Sequence, residues 1–174
     1  MKHLRILLAL LATLVASPVF AQGAAAASAM GFGDRLMLFT AFIVIGVGML
    51  SSGYALSISL SAYAACEQER RGSAFIPAVM PGSQGLYAFA IAFLMIGNIK
   101  TSFDDPAMMF KVTLAGIICG LPCLFSSIGQ ARTAAACIKS INNGQMDQGQ
   151  ALLATGVPEL YALVGLAGGF LVMN

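Results

Sequence analysis

Four long apolar segments separated by short polar links dominate the hydrophobic pattern of this 174-residue chain. They cover approximately residues 36–65, 75–97, 108–141 and 151–173. At about 1.5 Å per residue, each segment is long enough to cross roughly 30 Å of hydrocarbon as a helix. The links CEQERRGS, NIKTSFDDPA and NNGQMDQGQ are short, which forces antiparallel neighbours. The pattern therefore predicts an all-α membrane protein with four transmembrane helices.

The two halves of the chain resemble each other. LSSGYALSISLSAYAAC in the first segment is similar to FSSIGQARTAAAC in the third, and MPGSQGLYAFAIAFLM in the second to VPELYALVGLAGGFLV in the fourth. Offsets of roughly 71–77 residues indicate a duplicated hairpin, with residues 36–97 as the first copy and 108–173 as the second. The first and third segments are rich in Gly, Ala and Ser. This composition suits either an inner ring of helices or close packing in a lone bundle.

Residues 1–21 have the pattern of a signal peptide. A short positive start precedes the apolar core ILLALLATLVA, and Val19-Phe20-Ala21 is an acceptable cleavage site. A fifth transmembrane helix is the alternative, but the apolar run is short and Pro18 ends it. We expect residues 1–21 to be removed and residues 22–35 to form an exported leader.

The composition excludes a soluble domain and a nucleic-acid partner. The chain is 59% hydrophobic and 9% charged, with a net charge of +2 and no basic run. Four cysteines lie within or at the ends of the apolar segments. Neither a His nor a second cysteine pair accompanies Cys119 and Cys123, so neither a metal centre nor a disulfide is predicted.

Glu159 is the one acidic residue inside a membrane-crossing segment. The other carboxylates lie at segment ends or in the links, at Asp34, Glu67, Glu69, Asp104, Asp105 and Asp147. A charge at bilayer depth costs roughly 2.5–3.5 kcal/mol on insertion scales, so it is retained mainly where it functions. We expect Glu159 to hold a cation, to be protonated, or to meet a partner's arginine. A carboxylate that alternates among these states is an ion carrier.

Two glutamines are predicted at the depth of Glu159. Counting from the segment ends on one side of the membrane places Gln84, Gln130 and Glu159 roughly 14–16 Å deep, on three different helices. Each glutamine could instead form an ordinary hydrogen bond between helices. Their common depth favours a shared polar site.

One face of the second segment adds oxygen atoms to this site. Met80, Ser83, Gln84 and Tyr87 follow i, i+3, i+4, i+7 spacing, so they share a helix face. Pro81 lacks an N–H group and can turn a main-chain carbonyl toward a ligand. The set contains oxygen ligands and no thiolate or imidazole, which suits a hard cation of single charge, such as Na⁺, better than a transition metal.

These residues lie in motifs that resemble a known family. The motifs are PGSQGLYAFAIAFL in the second segment, SSIGQARTAAA in the third and PELYALVG in the fourth. They are similar to the proteolipid (c or K) subunit that forms the rotor ring of V/A-type rotary ATPases, especially its bacterial, Na⁺-binding members. The resemblance covers about residues 48–174.

The resemblance implies a site and partners. Its Na⁺ ligands would be the Met80 carbonyl and the side chains of Ser83, Gln84, Gln130 and Glu159, with Tyr87 hydrogen-bonded to Glu159. The partners would be further copies in a homo-oligomeric ring, a stator subunit whose arginine displaces the ion, and a central stalk on the cytoplasmic links. The chain would cross a bacterial cytoplasmic membrane several times. The predicted signal peptide would leave the mature N-terminus outside, and four spans would then place the C-terminus outside as well. It would carry Na⁺ or H⁺ as cargo and hold neither a nucleotide nor a resident cofactor.

Two other functions fit part of the pattern. A small four-span exporter could use Glu159 as a proton-coupled carboxylate, although an organic cation would need an aromatic cage and only Tyr87 and Tyr161 are near. A structural scaffold would not need Glu159 at all. The native mass of the solubilised complex separates a ring from a monomer or dimer.

Overall fold

The structure is a computed structural model that describes residues 31–101 and 105–174. The predicted signal peptide, most of the predicted leader and Asp104 lie outside the described residues. The chain divides into two units, residues 1–36 and 37–174. Apart from the first turn of helix α1, the elements below belong to the second unit.

The described residues form helices joined by short turns. The α-helices are α1 (Phe32–Ala64), α2 (Arg71–Val79), α3 (Ser83–Thr101), α4 (Pro106–Asn142) and α5 (Gln148–Met173). Two short 3₁₀ turns, Gln68–Arg70 and Met80–Gly82, precede α2 and α3. Four stretches are long and apolar enough to span a membrane: Arg35–Ala64, Gln68–Asn98, Pro106–Asn142 and Gln148–Met173. The predicted all-α fold with four spans is confirmed.

The second span is not one continuous helix. Pro77 and Pro81 lie within it, and neither has an N–H group to continue the hydrogen-bond ladder. The backbone therefore passes from α2 through the 3₁₀ turn Met80–Gly82 into α3. This break lies at the level of the predicted site and positions the first turn of α3.

Local side-chain chemistry explains where the helices of the second hairpin begin. Asp105 caps α4 by accepting from the Ala107 N–H at 2.9 Å. Asp147 and Gln150 form a reciprocal capping box at the start of α5. Such caps satisfy N–H groups that have no partner within the helix, and each contributes about 1 kcal/mol.

Small residues bring α1 and α4 into close contact. A Cβ atom added at Gly120 would lie 2.7 Å from the Val44 carbonyl oxygen, and one at Gly48 would lie 2.9 Å from the Gly120 oxygen. Further along the same seam, the Ser127 hydroxyl donates to the Ser51 hydroxyl at 2.8 Å. Small side chains allow this backbone approach, which gives dispersion contacts where lipid supplies no hydrophobic drive.

Helix α4 packs against α2, α3 and α5. Its buried side chains are mostly small, including Ala115, Cys119 and Cys123. Large apolar side chains such as Leu50 and Phe93 point outward. This distribution suits a bundle surrounded by lipid, because outward apolar groups carry no penalty there.

Candidate ion-binding site

Side chains from three helices meet at Glu159. Tyr87 lies on α3, Gln130 on α4 and Glu159 on α5. The Tyr87 hydroxyl donates to Glu159 Oε1 at 2.6 Å, and Gln130 Nε2 donates to Glu159 Oε2 at 3.3 Å. The first distance is in the range of hydrogen bonds to an ionised carboxylate. Both contacts come from uncharged donors, so they orient the carboxylate without neutralising it.

The two predicted glutamines form a buried relay beside the carboxylate. Gln84 and Gln130 are both 0% exposed. Gln84 Nε2 donates to Gln130 Oε1 at 2.5 Å, and Gln130 Nε2 also donates to the Thr155 carbonyl at 2.8 Å. The hydrogen bond to the Thr155 carbonyl links the Gln130 side chain of α4 to the turn of α5 that precedes Glu159. The equal depth predicted for the three side chains is thus matched by direct contacts.

One oxygen in this relay lacks a hydrogen-bond donor. Gln84 Oε1 is buried and has no hydrogen-bond partner in the structure. Burying such an acceptor unpaired costs roughly 1–3 kcal/mol, so sequences seldom retain it without a function. A cation or a proton donor beside Gln84 would remove that cost.

Met80 and Ser83 lie at the edge of the network. The Ser83 hydroxyl donates to the Met80 carbonyl at 3.0 Å, and the Ser83 N–H donates to the same oxygen. In the 3₁₀ turn the Met80 carbonyl thus accepts from both donors of Ser83, and its role as an ion ligand stays a prediction. The Thr155 hydroxyl donates to the Met80 sulfur at 3.2 Å, which places this turn beside the network.

Sequence reasoning missed Ser126 as a member of the site. Its hydroxyl donates to the Pro158 carbonyl at 2.6 Å and accepts from Gln84 Nε2 at 3.3 Å. It thereby links α3, α4 and α5 one residue before the carboxylate. The signal was available, because Ser126 precedes Gln130 by four positions and so shares its helix face.

The donor set is rich in oxygen. In the part of the chain that the structure describes, no group of three or more His, Cys, Asp or Glu side chains could hold a metal ion. Around Glu159 the neighbours are amides, hydroxyls and main-chain carbonyls. Such ligands suit a hard cation. The arrangement can hold one positive charge against one carboxylate.

Comparison with known proteins identifies both hairpins. The family model for the ATP synthase C subunit matches residues 39–95 and, a second time, residues 113–172. The V-type sodium ATPase subunit K of Enterococcus hirae is 30% identical over 142 residues, 79% of this chain and 88% of that relative. The A-type ATP synthase subunit K of Methanocaldococcus jannaschii is 30% identical over 134 residues, 75% of this chain and 58% of that relative. The double match confirms the duplicated hairpin predicted from the repeat.

Proposed function

The chain belongs to the ATP synthase C-subunit family as a c/K proteolipid of V/A-type ATPases, and on that premise we propose that Glu159 carries one ion per subunit. As a member of that family it is a multi-pass membrane subunit and does not itself catalyse ATP hydrolysis. In our proposal, several copies close into a ring, and each copy presents its Glu159 in turn to the rest of the complex.

Rotation supplies the transport step. The ring turns past a stator subunit whose arginine displaces the ion from Glu159, because a fixed cation beside the carboxylate replaces the mobile one. Half-channels in the stator admit ions from one side of the membrane and release them to the other. A central stalk seated on the links at residues 66–73 and 142–150 couples the ring to ATP hydrolysis. These links then face the cytoplasm, and both termini face outward.

The observation that carries the proposed ion site is the unpaired Gln84 Oε1. A dehydrated Na⁺ needs several oxygen ligands in place of its water shell. Gln84 Oε1 is a buried oxygen that accepts no hydrogen bond, so it can serve as one of these ligands. Glu159 and Gln130 supply further oxygens within the same hydrogen-bonded network. The Met80 carbonyl joins them after the Ser83 hydroxyl rotates away from it, and that rotation frees the Ser83 oxygen as well.

Na⁺ is the cargo that this donor set favours. A proton needs only one acceptor, whereas the structure buries two carboxamides beside the carboxylate. The relative from Enterococcus hirae bears the name of a sodium ATPase subunit, which supports the same choice. H⁺ is the second candidate, with Tyr87 and Gln130 hydrogen-bonded to a protonated Glu159.

The proposal is tested by replacing Glu159 with glutamine in the intact complex. The two side chains are nearly isosteric, so the ring should assemble, but the charge that holds the ion is gone. We expect ATP-driven Na⁺ uptake into vesicles to fall to background. Asp105→Asn is the matched control, because it makes the same change at a helix cap where Asn serves equally well. Uptake retained by Glu159→Gln would overturn the proposal.

A further inference from the structure

Ser126 faces Gln84 as a hydrogen-bond acceptor. The one proton of its hydroxyl goes to the Pro158 carbonyl at 2.6 Å, and a carbonyl can only accept. With that proton used, the Ser126 oxygen can only accept from its next neighbour. That neighbour is Gln84, whose Nε2 lies 3.3 Å away. The hydroxyl of Ser126 thus has a fixed direction between α5 and α3.

Gln130 presents a second acceptor to Gln84. Its Nε2 donates to the Thr155 carbonyl at 2.8 Å and to Glu159 Oε2 at 3.3 Å. If the Gln130 amide were turned by 180°, its oxygen would face the Thr155 carbonyl, and two acceptors would repel each other. Gln130 Oε1 is therefore the atom that faces Gln84, and it accepts from Gln84 Nε2 at 2.5 Å.

These two acceptors determine the orientation of the Gln84 amide. Nε2 carries two N–H groups, and the structure gives it two acceptors, Gln130 Oε1 and Ser126 Oγ. The opposite orientation would set Gln84 Oε1 against both acceptors and would remove both donors from them. Gln84 Oε1 is therefore held on the other side of the amide, where it is buried and accepts no hydrogen bond.

Two main-chain carbonyls of α5 are the origin of this orientation. Thr155 and Pro158 lie in the turn that immediately precedes Glu159. Their carbonyls set the direction of the two side chains that in turn orient Gln84. The same helical turn therefore positions the carboxylate and, through α4, the free oxygen of Gln84.

We propose that Ser126 is a positioning residue that gives the site its preference for Na⁺ over H⁺. It holds Gln84 Oε1 in the orientation that the ion uses, and it does not itself contact the ion. Na⁺ needs Gln84 Oε1 as one of several oxygen ligands, whereas a proton needs only Glu159. This inference rests on the proposed function, because it takes Gln84 and Glu159 as ligands of the transported ion.

Carbodiimide labelling of Glu159 separates the binding of Na⁺ from the binding of a proton. In membranes that hold the intact complex, the half-protecting Na⁺ concentration reports the first, and the pH dependence of labelling without Na⁺ reports the second. For Ser126→Ala we expect the half-protecting concentration to rise about fivefold, as for the loss of one neutral hydrogen bond. The pH dependence should stay the same, because the hydrogen bonds to Glu159 come from Tyr87 and Gln130. Equal shifts in both measurements would overturn the inference.

Ser127→Ala is the matched control. Ser127 is the next residue of α4 and is also buried, but its hydroxyl bonds to Ser51 and to the Leu124 carbonyl. Its replacement should lower the melting temperature about as much as Ser126→Ala does and keep the native half-protecting concentration. Ser126→Thr retains the hydroxyl and should stay within twofold of the native concentration. If Ser127→Ala weakened protection as much as Ser126→Ala, a general loosening of the bundle would explain both, and Ser126 would have no positioning role.

A double variant tests whether Ser126 acts through Gln84. In a Gln84→Leu background there is no amide to orient, so adding Ser126→Ala should change the half-protecting concentration by less than twofold. A further rise as large as that in the native background would show that Ser126 acts independently of Gln84, which contradicts the inference.

The two proposals fail in different ways. If Na⁺ does not protect Glu159 in the native protein, the proposed Na⁺ site and the role of Ser126 are both wrong. If Na⁺ protects the native protein and Ser126→Ala equally well, the ion site stands and only the positioning role of Ser126 is wrong.

Discussion

Replacing Gln84 with leucine should weaken Na⁺ binding without unfolding the protein. Gln84 is fully buried, and leucine has a similar volume, so the packing changes little. The change removes Oε1, which has no partner, and Nε2, which donates to Gln130 and Ser126. Its main effect on the ion is the loss of one oxygen ligand.

The expected loss of Na⁺ affinity follows from the free energy that one amide dipole contributes when it faces the ion. Hydrogen-bond-class interactions with charged groups contribute about 1.5–3 kcal/mol. Each 1.4 kcal/mol is a factor of ten in affinity, so the Na⁺ dissociation constant should rise roughly 10- to 150-fold. The loss of the donor to Gln130 lowers stability in both the free and the ion-bound state, and largely cancels from the binding constant.

Carbodiimide labelling of Glu159 measures this constant. The reagent needs a protonated carboxyl group in an apolar setting, so a bound Na⁺ should protect Glu159 as its concentration rises. Asp105 and Asp147 lie exposed at helix ends and should remain unlabelled. The matched control is Thr133→Val, which removes a hydroxyl bonded only within α4 and should leave the half-protecting concentration unchanged.

Two outcomes would refute the reasoning. If Gln84→Leu and the native protein share one half-protecting concentration within twofold, Gln84 is not an ion ligand. If Na⁺ fails to protect the native protein at neutral and alkaline pH, the cargo is H⁺ and the buried carboxamides serve only to orient Glu159.

Two further predictions concern a donor and a helix contact. Tyr87→Phe removes the 2.6 Å donor to Glu159, which stabilises the ionised carboxylate, so carbodiimide should label Glu159 severalfold faster at a fixed pH without Na⁺; an unchanged rate would contradict that role. Gly120→Ala should lower the free energy of unfolding in detergent by about 1–3 kcal/mol, because the added Cβ would lie 2.7 Å from the Val44 oxygen. Gly129→Ala is the control, since its Cβ meets nothing within 4 Å and the change should be neutral or stabilising. Equal melting temperatures for the two variants would refute the close approach.

The fold was predictable because its signals are long and periodic. Apolar length alone predicts the four spans, and the repeat predicts the two hairpins. The exact helix boundaries were harder to predict from the sequence. The sequence predicts a second segment over residues 75–97, yet the helical span starts at Gln68. Polar first turns such as Gln68–Arg70 are helical without being apolar, so hydropathy does not register them.

Membrane depth and helix-face spacing were enough to predict part of the candidate site. Those two quantities brought Gln84, Gln130 and Glu159 to one level, and the structure joins the three side chains by hydrogen bonds. They could not reveal that Ser126 bridges to the Pro158 carbonyl. That contact depends on the rotation of α4 against α5, which close packing determines and which a single-helix pattern does not contain.

The first hairpin shows which parts of the site depend on the backbone and which on side-chain chemistry. In the similar stretches MPGSQGLY and VPELYALV, Gly82 stands in place of Glu159, and it packs against the apolar side chain of Leu56 from α1. Ser52 of α1 faces Gly85 of α3, and its hydroxyl is buried without a partner. The helical scaffold therefore persists where the carboxylate and the carboxamide are absent. Because no side chain there can balance a cation, we infer that each chain carries its ion on the second hairpin alone, one charge for every two hairpins.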